Sequence, residues 1–233
     1  MTGKDALRER VWDALETSGQ ARFPFPPHGR IPNFAGADDA ADRLADTEEW
    51  AAAETVKANP DAPQLPVRRA ALRAGKTLYM AVPRLREERC FLRLDPAEVA
   101  DIDSATTVSG SSEAGVPVHP EDVEEIDVVV SGSVAVTEAG ARVGKGEGYS
   151  DLEFAVLRGF GLVDDDTTTA TTVHPLQLVG EVATAPHDVP MDQICTPGRT
   201  VRTGATGKPA GIDWDALSEE RIAEIPVLER LRP

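Results

Sequence analysis

Residues 126–136 are mainly apolar, residues 152–157 carry the spacing of a helix, and between them Gly144, Gly146 and Gly148 stand at alternate positions. A strand-like run, a turn with three glycines and a helix constrain this chain more than any other stretch. Glycine has no Cβ, so positive φ is open to it and an anion can approach its N–H closely. The helix that follows directs its positive N-terminal end at the same point. Arg142 and Lys145 add full charges on either side, and Asp151 follows where a metal ion carried on phosphates could be held. The stretch reads as a phosphate cradle, with the backbone of Gly144, Lys145, Gly146, Glu147 and Gly148 as its wall. It matches neither common fingerprint: no Gly-x4-Gly-Lys-Ser/Thr string is present, and the glycines follow G-x-G-x-G, not G-x-G-x-x-G. On pattern alone, a plain glycine-rich connection is the alternative.

The rest of the chain alternates helix-like and strand-like stretches. Residues 4–17 place Ala6, Leu7, Val11, Ala14 and Leu15 on one helical face, closed by Gly19. Lys4 and Arg8 are four apart on that helix and share one side. They form either a solvated basic edge or, beside a phosphate cradle, charge-assisted contacts to it. Residues 22–36 hold four prolines, which forbid a continuous helix and predict a rigid extended loop. Arg30 and Asn33 make that loop a candidate wall of a ligand pocket. A helix is expected over 37–58, broken by Asn59-Pro60, and a second over 67–74. Strands are expected at 76–82 and 90–94, a Ser/Thr-rich loop at 97–115, and a strand at 126–130 covered on both faces. After the glycine stretch come a helix at 152–157, a turn at 164–172, a strand at 176–182 and an exposed linker at 198–211. An amphipathic tail over 214–231 is interrupted by Pro226. The pattern predicts an α/β fold, a three-layer α/β/α sandwich with its ligand at the carboxyl ends of the strands. Residues 1–212 are expected to form that domain, and 213–233 a helical extension packing on it.

Forty acidic against 24 basic residues leave a net charge of −16, and only five of the basic residues are Lys. Such a surface suits a salt-loaded cytoplasm and predicts a halophilic protein, a basic partner being the alternative. It argues against nucleic acid, whose phosphates need a basic footprint. No stretch approaches the ~20 apolar residues of a membrane span, and the N-terminus lacks a signal-peptide core. The expected location is cytoplasmic. Cys90 and Cys195 lack metal spacing and read as buried thiols.

The glycine stretch, Gly144-Lys145-Gly146-Glu147-Gly148-Tyr149-Ser150-Asp151, resembles the signature loop of the 5-formyltetrahydrofolate cyclo-ligases. Residues 119–130 are similar to that family's approach strand, and residues 186–197 to its second signature. The resemblance implies a fold shared with the NagB/RpiA/CoA-transferase-like enzymes, with ATP and Mg²⁺ as cofactors and a reduced folate as small-molecule substrate. It implies Lys4, Arg8, Arg142 and Lys145 on the phosphates, Arg142 and Lys145 as the catalytic cations, and Asp151 with Asp188 on the metal. Tyr149, Asn33 and Phe34 are the residues expected on the substrate side, in a monomer or homodimer. Ser150 departs from the family loop, which has a second Tyr there. Residues 30–34 and 56–60 are closer to the methenyltetrahydrofolate synthetase domain-containing branch. An ATP-dependent enzyme acting on a different small molecule, and a non-catalytic nucleotide-binding module, stand as alternatives.

Overall fold

The structure, a computed structural model, describes residues 3–232. Helix α1 (Gly3–Thr17) buries Leu7, Val11, Trp12 and Leu15, which recur on one face. Strands β1 (Ala21–Arg22) and β2 (Asn33–Phe34) pair as a hairpin around the proline-bearing loop. Helices α2 (Ala37–Ala45) and α3 (Glu48–Ala52) are divided at Thr47, whose hydroxyl accepts from Trp50 N and caps α3. The single helix expected over 37–58 is therefore corrected. Its last residues form β3 (Thr55–Ala58), a strand buried throughout. Lys57 hid this strand, because a lysine inside it interrupts the apolar signal.

Helix α4 (Leu65–Arg73) and strands β4 (Thr77–Ala81) and β5 (Phe91–Leu94) follow where expected. The 97–115 loop is corrected to two short helices, α5 (Ile102–Ala105) and α6 (Val108–Ala114). Asp101 and Thr107 cap them, so polar residues read as loop are helix starts. Next come β6 (Val116–Val118), β7 (Val128–Val130), β8 (Ala135–Thr137), β9 (Arg142–Val143) and α7 (Tyr149–Gly159). The turn over 164–172 ends in β10 (Thr168–Thr172), built almost wholly of β-branched threonine. Of the strand expected at 176–182, only β11 (Leu178–Val179) forms. Strands β12 (Gln193–Cys195) and β13 (Thr200–Arg202) pair antiparallel, so the 198–211 linker begins as an edge strand. Helices α8 (Glu219–Ala223) and α9 (Pro226–Leu231) close the chain.

The main sheet has the order β13-β12-β10-β7-β3-β4-β5-β6. Strands β12, β10, β7, β3 and β4 are mutually parallel, and both edges are antiparallel. A second sheet, β11-β8-β9, lies beside it. The chain builds outward from β3 through β4, β5 and β6, then returns to the other side of β3 with β7. The topological switch point therefore falls between β3 and β7, where ligands of open α/β sheets bind. Residues of β3 and β7 are buried on both faces, as a sheet covered by two helical layers requires. Helices α2 and α4 pack on each other and over β3, β4, β10 and β12, whereas Lys57 points to α7. This is the α/β sandwich expected. The tail joins the same core: Ile222, Ile225, Val227 and Leu228 are buried in it. A smaller core holds the buried face of α1 against Val134, Ala135 and Val143.

Candidate active site

Three parallel strands end at one cleft. Beyond β3 it is lined by Asn59 and Asp61, beyond β4 by Val82, Pro83 and Arg84, and beyond β7 by Gly132. The opposite wall is the glycine loop with Arg142, Lys145, Glu147 and the first turn of α7, and the cleft measures about 270 Å³. Gly146 (φ +114) and Gly148 (φ +69) adopt the left-handed backbone that glycine alone takes freely, and Gly148 is the N-cap of α7. Asp151 in the first turn complements the positive end of that helix.

Helix α1 reaches this loop from far away in sequence. Arg8 Nε donates to Gly144 O at 2.8 Å and Nη1 to Asp5 Oδ1 at 2.6 Å. A Cβ at Gly146 would stand 3.5 Å from the Arg8 guanidinium carbon, so the two surfaces touch. Lys4, one turn earlier, pairs with Asp188 Oδ2 at 2.7 Å. The basic edge of α1 is therefore engaged by protein groups beside the loop, and neither Lys4 nor Arg8 is among the residues lining the cleft.

Arg142 is buried beneath the loop. Its Nη1 donates to Gly132 O at 2.8 Å and its Nη2 to Asp151 Oδ1 at 2.7 Å. Its Nε, also buried, has no hydrogen-bond partner among the described residues. Val189 N donates to the same Asp151 oxygen at 3.0 Å, which brings the Asp188 segment beside Asp151. Lys145 pairs with Glu147 Oε2 at 2.7 Å, and Arg84 Nη2 lies 3.5 Å from Glu147 Oε1. The Lys145 bond first, then its charge and that of Arg84, hold the Glu147 carboxyl below the usual carboxylate range. Among the described residues, no three His, Cys, Asp or Glu side chains cluster as a metal cage. Magnesium needs no such cage, since one or two carboxylates suffice when phosphate oxygens and water complete its shell. Asp151 lines the cleft with its Oδ1 engaged by Arg142 and Val189 N, whereas Asp188, paired with Lys4, stands beside that segment and outside the cleft lining.

Several residues lining or bracing the cleft were missed by sequence reasoning. Lys57 and Glu153, both buried, form an ion pair under the floor, and Asn59 Nδ2 donates to Glu153 Oε2 at 3.1 Å. Ser150 Oγ lies 3.1 Å from Asn59 Oδ1 and 3.0 Å from Ser131 Oγ. Arg68 donates to Asn59 O and Asp61 O, and burial pushes its guanidinium down to about 10. Burial pushes the Asp61 carboxyl up, against the pull of Lys145. From the tail, Arg221 donates to Glu147 O at 2.6 Å and stacks 4.5 Å over the Tyr149 ring. The signal available for Asn59 and Asp61 was the Asn-Pro-Asp break after an unrecognised strand; for Arg221 there was none.

Asn33 and Phe34 do not line the cleft. Asn33 Nδ2 donates to Phe23 O across the hairpin, and Phe34 is 2% exposed, packed edge-on against His174. In the same loop it is Ile31 that reaches the cleft. Cys90 and Cys195 are buried free thiols, pushed by burial up to about 12 and about 11. No described helix is long and apolar enough to cross a membrane.

The family model of the 5-formyltetrahydrofolate cyclo-ligase family matches residues 1–197. The chain is 43% identical over 235 residues to the methenyltetrahydrofolate synthase domain-containing protein of Mus musculus, covering 98% of this chain and 63% of that protein. To the protein of that description from Homo sapiens it is 40% identical over 235 residues, covering 98% of this chain and 61% of that protein. It thus spans less than two thirds of the length of these relatives. Among solved structures, the 5,10-methenyltetrahydrofolate synthetase of Aquifex aeolicus is similar with a TM-score of 0.54 at 18% identity, covering 92% of this chain and 99% of that one. At that identity the likeness speaks for the fold.

Proposed function

The chain belongs to the 5-formyltetrahydrofolate cyclo-ligase family, and on that premise we propose that it uses ATP to convert 5-formyltetrahydrofolate to 5,10-methenyltetrahydrofolate. In this reaction the formyl oxygen attacks the γ-phosphorus of ATP and ADP leaves. The folate N10 then closes on the activated carbon, and phosphate departs with the oxygen. Phosphoryl transfer asks a protein chiefly for positioning and for charge stabilisation. The backbone N–H groups of residues 144–148 receive the phosphates. Lys145 and Arg142 are the leading cations, and Lys4 and Arg8 assist from α1. The unpartnered Nε of Arg142 is a donor for an incoming anion. Asp151 would hold Mg²⁺, which supplies charge neutralisation on the phosphates when bound. Tyr149 lines the acceptor side.

The observation that carries this reading is the bond from Arg8 to Gly144 O, which unites the N-terminal cations with the glycine loop across 136 residues. A second reading, an ATP-dependent enzyme with another acceptor, draws on Ser150 and its polar contacts with Asn59 and Ser131. The test is turnover of purified protein in high salt with Mg-ATP and 5-formyltetrahydrofolate, followed by the near-ultraviolet absorbance of the methenyl product. Product that disappears in Lys145→Ala, with folding intact, supports the assignment. ATP binding without product rejects the folate acceptor and favours the second reading.

A further inference from the structure

The carboxylate of Glu147 is held between cations from two opposing walls of the cleft. Lys145 belongs to the glycine loop, and Arg84 to the turn after β4. Resting on the ATP-dependent reading above, we propose that Arg84 is a further anion-binding residue and that Glu147 holds the place of a ligand's phosphate, leaving when a polyphosphate enters.

The backbone around Arg84 carries the first part of the argument. Arg84 (φ +60) and Leu85 (φ +54) are consecutive non-glycine residues in the left-handed region. Side chains rarely adopt that conformation, and it persists only where the surroundings impose it, most often at ligand clamps and active sites. Here Leu85 is fully buried and Leu85 N donates to Val82 O, so the core pins the turn. The turn in turn presents Arg84 to the cleft. A glycine at 84 would sit there without strain, yet the position carries a guanidinium.

Exposure carries the second part. The Lys145, Glu147 and Arg84 side chains are 38%, 39% and 51% exposed. Ion pairs at such exposure are weak and readily exchanged. A phosphate offers what Glu147 offers, a negative charge between the two cations, with more acceptor oxygens and more charge. Arginine suits it by its planar fork and lysine as a point charge. Glu147 therefore keeps the cations apart and neutralised while the cleft is empty, and competes with the ligand for them. A Glu147 that only braced the loop would have the opposite effect, since the brace would help binding.

The experiment is titration calorimetry on the full chain with two probes, Mg-ATP and metal-free inorganic tripolyphosphate, alongside urea denaturation. Glu147→Gln should tighten both ligands by roughly two- to fivefold, the exchange of one exposed pair. Arg84→Ala should weaken them by about tenfold or more, the loss of a charge-assisted bond, and Arg84→Lys should restore part of the affinity. Arg84→Gly separates function from structure: affinity falls while the urea midpoint rises, because glycine relieves the positive φ. Tripolyphosphate that binds with these variant effects assigns the recognition to phosphates themselves. The same effects with Mg-ATP alone assign it to the nucleotide. Weaker or unchanged binding in Glu147→Gln, or unchanged binding in Arg84→Ala, overturns the proposal while wild-type binding leaves the ATP-dependent reading standing. Absence of binding to the wild type overturns both.

Discussion

Removing the Lys57 ammonium while leaving the Glu153 carboxylate tests the most buried electrostatic contact under the cleft. Lys57 has no exposed surface, and Glu153 is 6% exposed. Breaking such a pair from one side costs about 3–5 kcal/mol, because the surviving charge has no water to turn to. Lys57→Met and Glu153→Leu should each lose that amount. Replacing both ends removes the stranded charge and is often neutral. What remains is the Asn59 Nδ2 donor, 3.1 Å from Glu153 in the native chain, whose loss of a partner costs about 1–3 kcal/mol. The double variant should therefore be more stable than either single one. For a chain of this size about 1 kcal/mol moves the melting temperature by roughly 2–4 °C. Each single variant should then melt about 6–20 °C lower, and the double variant about 2–12 °C lower. Calorimetric melting and urea denaturation at pH 7 and constant high salt read both quantities. Losses that simply add in the double variant, or single variants within about 1 kcal/mol of wild type, would refute the reasoning. Because Glu153 lines the cleft, turnover of the folded double variant also reports whether the pair serves the chemistry; a fall is expected.

Arg8→Ala removes the charged bond to Gly144 O and should raise the KM for ATP about tenfold, with kcat changed less, as steady-state kinetics would record. Arg221→Ala frees the Glu147 carbonyl and one face of Tyr149. It should raise the same KM while the urea midpoint changes little; an unaltered KM would remove Arg221 from the site. Asp61 offers a pH test, since burial raises its folded pKa above the ordinary 3.8. Below the ordinary value the protonated carboxyl carries no penalty; as pH rises from there through the folded pKa, the penalty for burying the charge grows to its full size. Asp61→Asn cannot ionise, so its stability advantage over wild type should be near zero in acid and largest at neutral pH, read from urea midpoints across that range.

The sequence by itself determined whatever depends on neighbours along the chain. Three glycines at alternate positions after an apolar run dictated a loop that could adopt positive φ, and the residues after them dictated a helix, because backbone freedom and helical periodicity are local properties. The basic edge of α1 was legible for the same reason: Lys4 and Arg8 are one turn apart. Even these readings erred where a residue's partner was distant. Lys57 disguised β3 as part of a helix, since the carboxylate that makes a buried lysine tolerable lies 96 residues away. The threonines of β10 lacked an apolar signature, yet their strand sits inside the sheet beside β7. Phe34 looked like a ligand contact and is core, because only packing against His174 decides which way an aromatic side chain is sheltered. Tertiary structure alone brought Asn59, Arg84 and Gly132 to one cleft, through the order of β3, β4 and β7 in the sheet. It alone joined Lys4 to Asp188 across 184 residues and Arg8 to the glycine loop. Strand order and ion pairing are settled by which buried surfaces and charges satisfy one another in three dimensions, and that information is spread over the whole chain.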